Sequence, residues 1–299
     1  MTMKKLSIII PSYNSYNTIT RLIESINEGD NDSYVKVIVV DDHSNEDEQE
    51  KIKNYCDKYN NVIFAENDFG KKGAGGARNK GIELADTEWI MFADSDDYFL
   101  DGWFTNVNKY LNREKIEMVC FCVDGKRGEI YSDKVHKGID NGDKLDVRVS
   151  YDPPWGKLYR LSMIKKNHIR FDEIKCSNDV MFSVRTGLTA QELVLDNSVI
   201  YYVDEVPGSI TKDVSPESYL IRAEVVARKI VYMREALQYK EYKRMQDGLL
   251  FYWWRGALKK YGFITATKVY RLKAIYEIPF MPSIGHIIKR GLALIKRNQ

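Results

Sequence analysis

An α/β fold built on a mainly parallel sheet is predicted by three features of the sequence. Short apolar runs rich in β-branched residues recur about every 27 to 30 residues. Segments with helical apolar period lie between them, and the chemically unusual polar residues fall just after the runs. Strands buried on both faces and alternating with amphipathic helices describe βαβ units, whose right-handed crossovers give parallel strands covered by helices on both sides. With 299 residues, 44% of them hydrophobic, the chain can bury a full core.

The first run, Leu6 to Ile10, leads into Pro11-Ser12-Tyr13-Asn14. A dinucleotide-binding turn would place glycines here, and there are none. A ring and a short amide at that point can pack a base and hydrogen-bond its edge, although an ordinary strand-to-helix turn accepts the same residues. Ile19, Leu22, Ile23 and Ile26 then mark one face of a helix. The second run, Val35 to Val40, ends in Asp41-Asp42-His43-Ser44. Adjacent carboxylates repel, so they call for a partner such as a metal, an N–H donor or a ribose hydroxyl. Capping of the next helix by Asp42 or Ser44 accounts for only one of these side chains.

Ile52, Tyr55, Cys56 and Tyr59 form the second helical stripe, and Val62 to Ala65 the third strand. The stretch from Gly70 to Gly81 that follows is glycine-rich and cationic, fit to offer backbone N–H groups and positive charge to a phosphate. It has neither the dinucleotide fingerprint nor a Walker loop, and a flexible surface loop is the alternative reading. The fourth strand, Trp89 to Ala93, runs into Asp94-Ser95-Asp96-Asp97. Three carboxylates in four residues beside a buried strand are costly unless a cation neutralises them, and Mn2+ or Mg2+ suits such oxygen ligands. Met118 to Val123 is the fifth strand.

Residues 124–152 are polar and rich in Gly, Asp and Lys, which predicts an irregular excursion or a β-ribbon. Asp152-Pro153-Pro154-Trp155-Gly156-Lys157 follows, and helical period returns over 216–262, starting at Ser215-Pro216-Glu217. The net charge of +2 hides an asymmetry: residues 255–299 hold ten Lys/Arg against Glu277 alone, leaving the body acidic. A basic, aromatic tail suits an anionic bilayer leaflet, or else forms a solvated helical face packed through its rings. Nucleic acid is not expected, because the body is acidic and no binding motif for it is evident. The four cysteines lack paired spacings and read as reduced thiols. The N-terminal apolar run is too brief for a signal peptide, and no run approaches the roughly 18 residues of a spanning helix. A cytoplasmic protein, peripheral on the inner face of the membrane, is the expectation.

Ser7-Ile8-Ile9-Ile10-Pro11-Ser12-Tyr13-Asn14, Val39-Val40-Asp41-Asp42-His43-Ser44, Gly76-Ala77-Arg78-Asn79-Lys80-Gly81 and Asp94-Ser95-Asp96-Asp97 resemble, in order and spacing, the family 2 inverting nucleotide-sugar glycosyltransferases of the GT-A fold. The resemblance implies a Rossmann-like catalytic domain over 1–214, with a nucleotide-binding half (1–123) and an acceptor-side half (124–214). A helical, basic extension would occupy 215–299. It implies that Pro11, Ser12, Tyr13, Asn14, Asp42, Arg78, Asp94 and Ser95 hold the donor, a UDP-sugar, and that Asp96 ligates the metal. The acceptor base is implied at Asp179, in Cys176-Ser177-Asn178-Asp179, where Asn178 stands in place of a frequent Glu. An N-terminal helix carboxylate without catalytic use is the plain alternative.

Trp155 and Lys157 resemble an acceptor-side segment, and Val206 to Thr211 a segment that closes over the donor, to which no role is assigned here. The implied reaction is transfer with inversion to a saccharide or lipid-linked saccharide in surface polysaccharide synthesis. A non-catalytic nucleotide or carbohydrate binder is the competing reading, and the missing glycines after the first strand argue against a nicotinamide enzyme.

Overall fold

The computed structural model describes residues 4–29, 31, 33–68, 72–205 and 214–285. Gly70, Lys71, the segment from Val206 to Thr211 and the last 14 residues of the tail lie outside the described residues. The chain divides into two compact units, Met1–Ser209 and Ile210–Gln299.

The first unit is a mixed α/β layer structure. Eight strands form one sheet in the order β3-β2-β1-β4-β7-β6-β8-β5. The strands are β1 (Leu6–Ser12), β2 (Val35–Asp41), β3 (Val62–Glu66), β4 (Trp89–Phe92), β5 (Tyr98–Phe99), β6 (Met118–Asp124), β7 (Lys157–Arg160) and β8 (Leu193–Tyr202). The first four pair in parallel, with Ile9 opposite both Ile38 and Phe92. Helices α1 (Tyr16–Asn27), α2 (Glu46–Cys56) and α3 (Ala74–Leu84) connect them. α1 buries Ile19, Leu22, Ile23 and Ile26 against the sheet, the stripe its spacing predicts. Every chain exit from β1, β2 and β4 therefore falls at one end of the sheet, where α/β folds bind ligands.

Beyond β4 the regular alternation fails. β7 runs antiparallel between β4 and β6, so the fifth predicted strand is not the neighbour of the fourth. β8 pairs with β6 in parallel and with the two-residue β5 in antiparallel. The polar segment 124–152 is neither irregular nor a ribbon: it forms helices α5 (Glu129–Asn141) and α6 (Leu145–Ser150). On α5 only Val135 and Gly138 are buried, and a Cβ on Gly138 would stand 2.5 Å from the Leu195 side chain. A helix held by one valine and one glycine contact leaves too thin an apolar stripe to read from sequence. The intervening helices are α4 (Trp103–Asn108), α7 (Leu161–Lys166) and α8 (Val180–Thr189). A continuous core joins all eight strands and runs from Leu6 to Val203.

The second unit is helical: α9 (Pro216–Ala236), α10 (Tyr239–Gln246), α11 (Leu249–Tyr261) and α12 (Phe263–Ile275). Ser215 caps α9 by accepting from the Ser218 N–H, with Pro216 in the first turn as the sequence suggests. Gly248 and Gly262, at φ 74° and 81°, start α11 and α12 in the left-handed region that favours glycine. Among the described residues no helix is long and apolar enough to cross a membrane.

Candidate active site

The predicted site residues gather at the carboxyl end of β1, β2 and β4, with two loops from later in the chain. After β1, Tyr13 is half exposed, and the Lys72 ammonium lies 4.2 Å from its ring centroid. Asn14, at φ 47°, ties this turn to the next: its N–H donates to Ser44 Oγ (2.8 Å) and its side-chain oxygen accepts from the Asn45 N–H (3.0 Å). Pro11 and Ser12 are buried at the strand end, and Ser12 shares a 2.8 Å hydrogen bond with Ser15.

The aspartate pair after β2 has separate duties. Asp41 accepts from the Ser44 N–H at 3.0 Å. Asp42 accepts from Asn67 Nδ2 (2.8 Å) and from the Gly73 N–H (3.0 Å), so it anchors the described end of the glycine-rich stretch. The cap of α2 is Asn45, which accepts from the Glu48 N–H, and not Asp42 or Ser44. The glycines of α3 serve close approach. A Cβ on Gly75 would lie 2.2 Å from the Asp172 carbonyl oxygen, and one on Gly81 would lie 2.2 Å from Ile9 Cγ2. Gly75 thus lets the first turn of α3 lie against the loop that ends in Asn178 and Asp179, while Gly81 seats the last turn on β1.

Arg78 joins the halves of the unit. Its Nη2 donates to Asp94 Oδ1 at 2.5 Å, its Nη1 to Asn178 Oδ1 at 3.0 Å, and its guanidinium stands 5.3 Å from the Phe171 ring centroid. Asn178 therefore replaces a charge with a neutral acceptor on the same arginine. Asp179 occupies the N-cap position of α8 without a side-chain capping hydrogen bond, so its carboxylate stands at the helix N-terminus and is not engaged with the α8 backbone N–H groups. Burial raises its carboxyl to about 6, against the pull of Arg78 and with added repulsion from Asp152. Asp152 thus supplies some of the repulsion that a glutamate at 178 would have given.

The three carboxylates of the acidic loop differ in surroundings. Asp94 is paired with Arg78. Asp97 is buried and accepts from Tyr201 Oη (2.8 Å) and the Asp204 N–H (2.9 Å); burial, Asp94 and Asp96 together raise it to about 8. Asp96 is partly exposed at the turn beside Ser95, and burial followed by Asp94 raises its pKa. Among the described residues no side chain donates to its carboxylate and no ion pair engages it; Arg21 holds its backbone carbonyl at 2.7 Å. A carboxylate desolvated and repelled by Asp94, with the field of Arg127 but no ion pair among the described residues to offset this, fits one ligand position of a divalent ion whose remaining shell comes from water and phosphate. Among the described residues, no cluster of three or more His, Cys, Asp or Glu is spaced to hold an ion unaided.

Trp155 and Lys157 are 2% and 1% exposed. Trp155 stacks on Tyr201 at 6.0 Å, and Lys157 donates to the Tyr151 carbonyl and to Ser183 Oγ. Tyr201, which accepts from the Asp94 N–H (2.9 Å) while donating to Asp97, escaped the sequence reading, as did Asp152 as a neighbour of Asp179. Nothing local marks Tyr201, since β8 is an ordinary half-buried strand. A cleft of about 370 Å³ lined by Glu117, Lys166 and Gln191 opens at the opposite end of the sheet and includes none of these residues.

The model for glycosyl transferase family 2 matches residues 7–188. The poly(ribitol-phosphate) β-N-acetylglucosaminyltransferase TarS of Staphylococcus aureus is 27% identical over 235 residues, 77% of this chain and 41% of that protein. A poly(ribitol-phosphate) β-glucosyltransferase of Bacillus spizizenii is 28% identical over 201 residues, 66% of this chain and 32% of that protein. The chain thus spans less than half the length of either relative. Among solved structures, S. aureus TarS 1–349 with UDP-GlcNAc superposes with a TM-score of 0.70 at 21% identity, over 91% of this chain and 80% of that one. A Pyrobaculum calidifontis mannosyltransferase with GDP-Man and Mn2+ gives a TM-score of 0.58 at 15% identity, over 98% and 81%. The fold is the mixed α/β GT-A fold with a helical C-terminal region.

Proposed function

The chain belongs to glycosyltransferase family 2, and from that premise we propose that it transfers a sugar from a UDP-sugar to a saccharide or lipid-linked saccharide acceptor, with inversion, in surface polysaccharide synthesis. One observation supports this above the others. Arg78 hydrogen-bonds both the acidic loop at Asp94 and the Asn178 that precedes Asp179, so the groups read as donor-side and acceptor-side meet on a single side chain. A carboxyl raised to about 6 beside that cluster supports a proton-accepting role in addition to nucleotide binding.

In this reading residues 1–214 are the catalytic part. Tyr13 and the Asp42-anchored turn receive the uracil, Pro11, Ser12 and Asn14 shape that turn, and Asp94 and Ser95 meet the ribose under the grip of Arg78. Asp179 accepts the proton of the acceptor hydroxyl as its oxygen forms a bond to the anomeric carbon. The bond from that carbon to the diphosphate oxygen breaks on the opposite face, which inverts the configuration. Trp155 and Lys157 act from inside, Trp155 by backing Tyr201 and Lys157 by fixing the Tyr151-Asp152 backbone on the acceptor side. Asp96 would hold Mn2+ or Mg2+, which would neutralise the charge that develops on the leaving diphosphate. The Mn2+ complex of the Pyrobaculum mannosyltransferase supports that choice of ion. Positioning and fixed charge supply most of the acceleration. The relatives that act on poly(ribitol-phosphate) support a cell-surface polymer as the destination. Work on such a polymer would place the enzyme in the cytoplasm at the inner membrane face.

The test is UDP release from a panel of UDP-sugars with manganese. Asp179→Asn is expected to retain manganese-dependent UDP binding and lose transfer by at least about 100-fold, while Asp96→Ala loses both. Normal turnover by Asp179→Asn refutes the assignment of the base, and silence of the native chain with every donor and acceptor favours the pure binder.

A further inference from the structure

The second unit presents a face that combines cations and exposed apolar side chains. From Arg255 to Tyr276 the sequence holds Arg255, Lys259, Lys260, Lys268, Arg271 and Lys273, and no acid at all. Helix α12 turns Thr265, Ala266, Val269 and Leu272 inward. Its opposite stripe, Ile264, Lys268, Arg271 and Ile275, is exposed and sets two cations between two isoleucines. At the turn made by Gly262, Phe263 and Ile264 are 77% and 75% exposed, and Ile275 is 68% exposed. Soluble surfaces tolerate single apolar residues, but a phenylalanine and two isoleucines set among cations are the composition of an interfacial helix.

We propose that the exposed stripe of α12, with the Gly262 turn that precedes it, docks on an anionic lipid bilayer, with Phe263 and Ile264 entering the headgroup boundary and the exposed cations of the stripe and of the turn, Lys259, Lys260, Lys268 and Arg271, lying on the negative surface. The proposal rests on the reading of a lipid-linked acceptor and deepens it by naming how the enzyme would reach it. Charge decides the occupant. A second copy presenting the same surface in a two-fold contact would set these four cations against four like ones, which repels. An anionic leaflet attracts each of them, and the sequence beyond Gly285 adds four more Lys/Arg.

The experiment is flotation of the full chain with vesicles of phosphatidylcholine alone and of phosphatidylcholine mixed with phosphatidylglycerol. The native chain is expected to float only with the anionic vesicles, and less as salt is raised. Phe263→Ser/Ile264→Ser is expected to weaken that binding at least about tenfold. Lys259→Gln/Lys260→Gln/Lys268→Gln should weaken it about fivefold per charge. Both variants should keep the native melting temperature and native transfer to a water-soluble acceptor. Absence of flotation with anionic vesicles, or flotation equal in the native chain and both variants, overturns the proposal. So does a lipid-free self-association that only Phe263→Ser/Ile264→Ser abolishes, which would assign the face to a second copy. Transfer is read separately, so an inactive native chain would sink the activity while leaving the flotation result to stand.

Discussion

The pKa of Asp179 is set by burial and by charged neighbours of opposite sign, and this makes the proposed base testable one residue at a time. Burial raises the carboxyl to about 6, Arg78 pulls it down and Asp152 pushes it up. A general base works only when deprotonated, so transfer at saturating donor should rise about tenfold per pH unit below about 6 and level off above it. Asp152→Asn removes a negative charge from beside Asp179, which makes ionisation easier and moves the rising limb to lower pH. A flat profile between about pH 5 and 8, or a limb that moves to higher pH in Asp152→Asn, would contradict the assignment. The acidic loop and the Asp41-Asp42 pair could be read from sequence, because dense charge beside a buried strand demands an explanation wherever it occurs, whereas Asp179 was reached only through the family resemblance. Asp152 and Tyr201 could not. Their importance comes from chain segments far from Asp179 and Asp94 being folded against them, and neither lies in a local pattern that differs from its surroundings.

At the scale of elements, the first turn of α3 is where packing and site geometry are the same question. Glycine inside a helix is ordinarily inferior to alanine by about 1 kcal/mol, so Gly75→Ala on propensity alone would stabilise. The contact predicts the reverse sign: the new Cβ would lie 2.2 Å from the Asp172 carbonyl oxygen and 3.2 Å from Asn178 Cβ. Overpacking of that kind costs about 1–3 kcal/mol. A unit of this size should lose about 2–4 °C of melting temperature per kcal/mol. Because the element displaced holds Asn178 and Asp179, kcat should fall more than the donor KM rises. A variant that melts higher than the native chain with unchanged kcat would show that the loop does not rest on α3. Strands β1 to β4 and β6 were legible as apolar runs at regular spacing. β7, a four-residue strand inserted between β4 and β6, and β8, half-buried and outside that spacing, were not. Nor was α5, which meets β8 through small residues such as Gly138, or α6, whose buried Leu145, Val147 and Val149 alternate as a strand's would.

For the whole molecule, the division of labour between the units follows from where the core and the charge lie. Every strand among the described residues and the continuous core between Leu6 and Val203 belong to the first unit, as do all the residues assigned to donor, metal and base. The ten Lys/Arg that oppose a single acid lie beyond residue 254. A unit of about 200 residues buries roughly 70% of the surface of its unfolded chain, enough to fold without help from a neighbour. A chain ending at residue 214 should therefore melt in one cooperative transition and bind UDP with manganese within about twofold of the full chain, since mass action at the nucleotide site involves no group it lacks. It should not float with anionic vesicles, because the cations and exposed rings are gone. If the shortened chain shows no melting transition, or binds UDP and still floats, then the assignment of chemistry to one unit and docking to the other is wrong at its root.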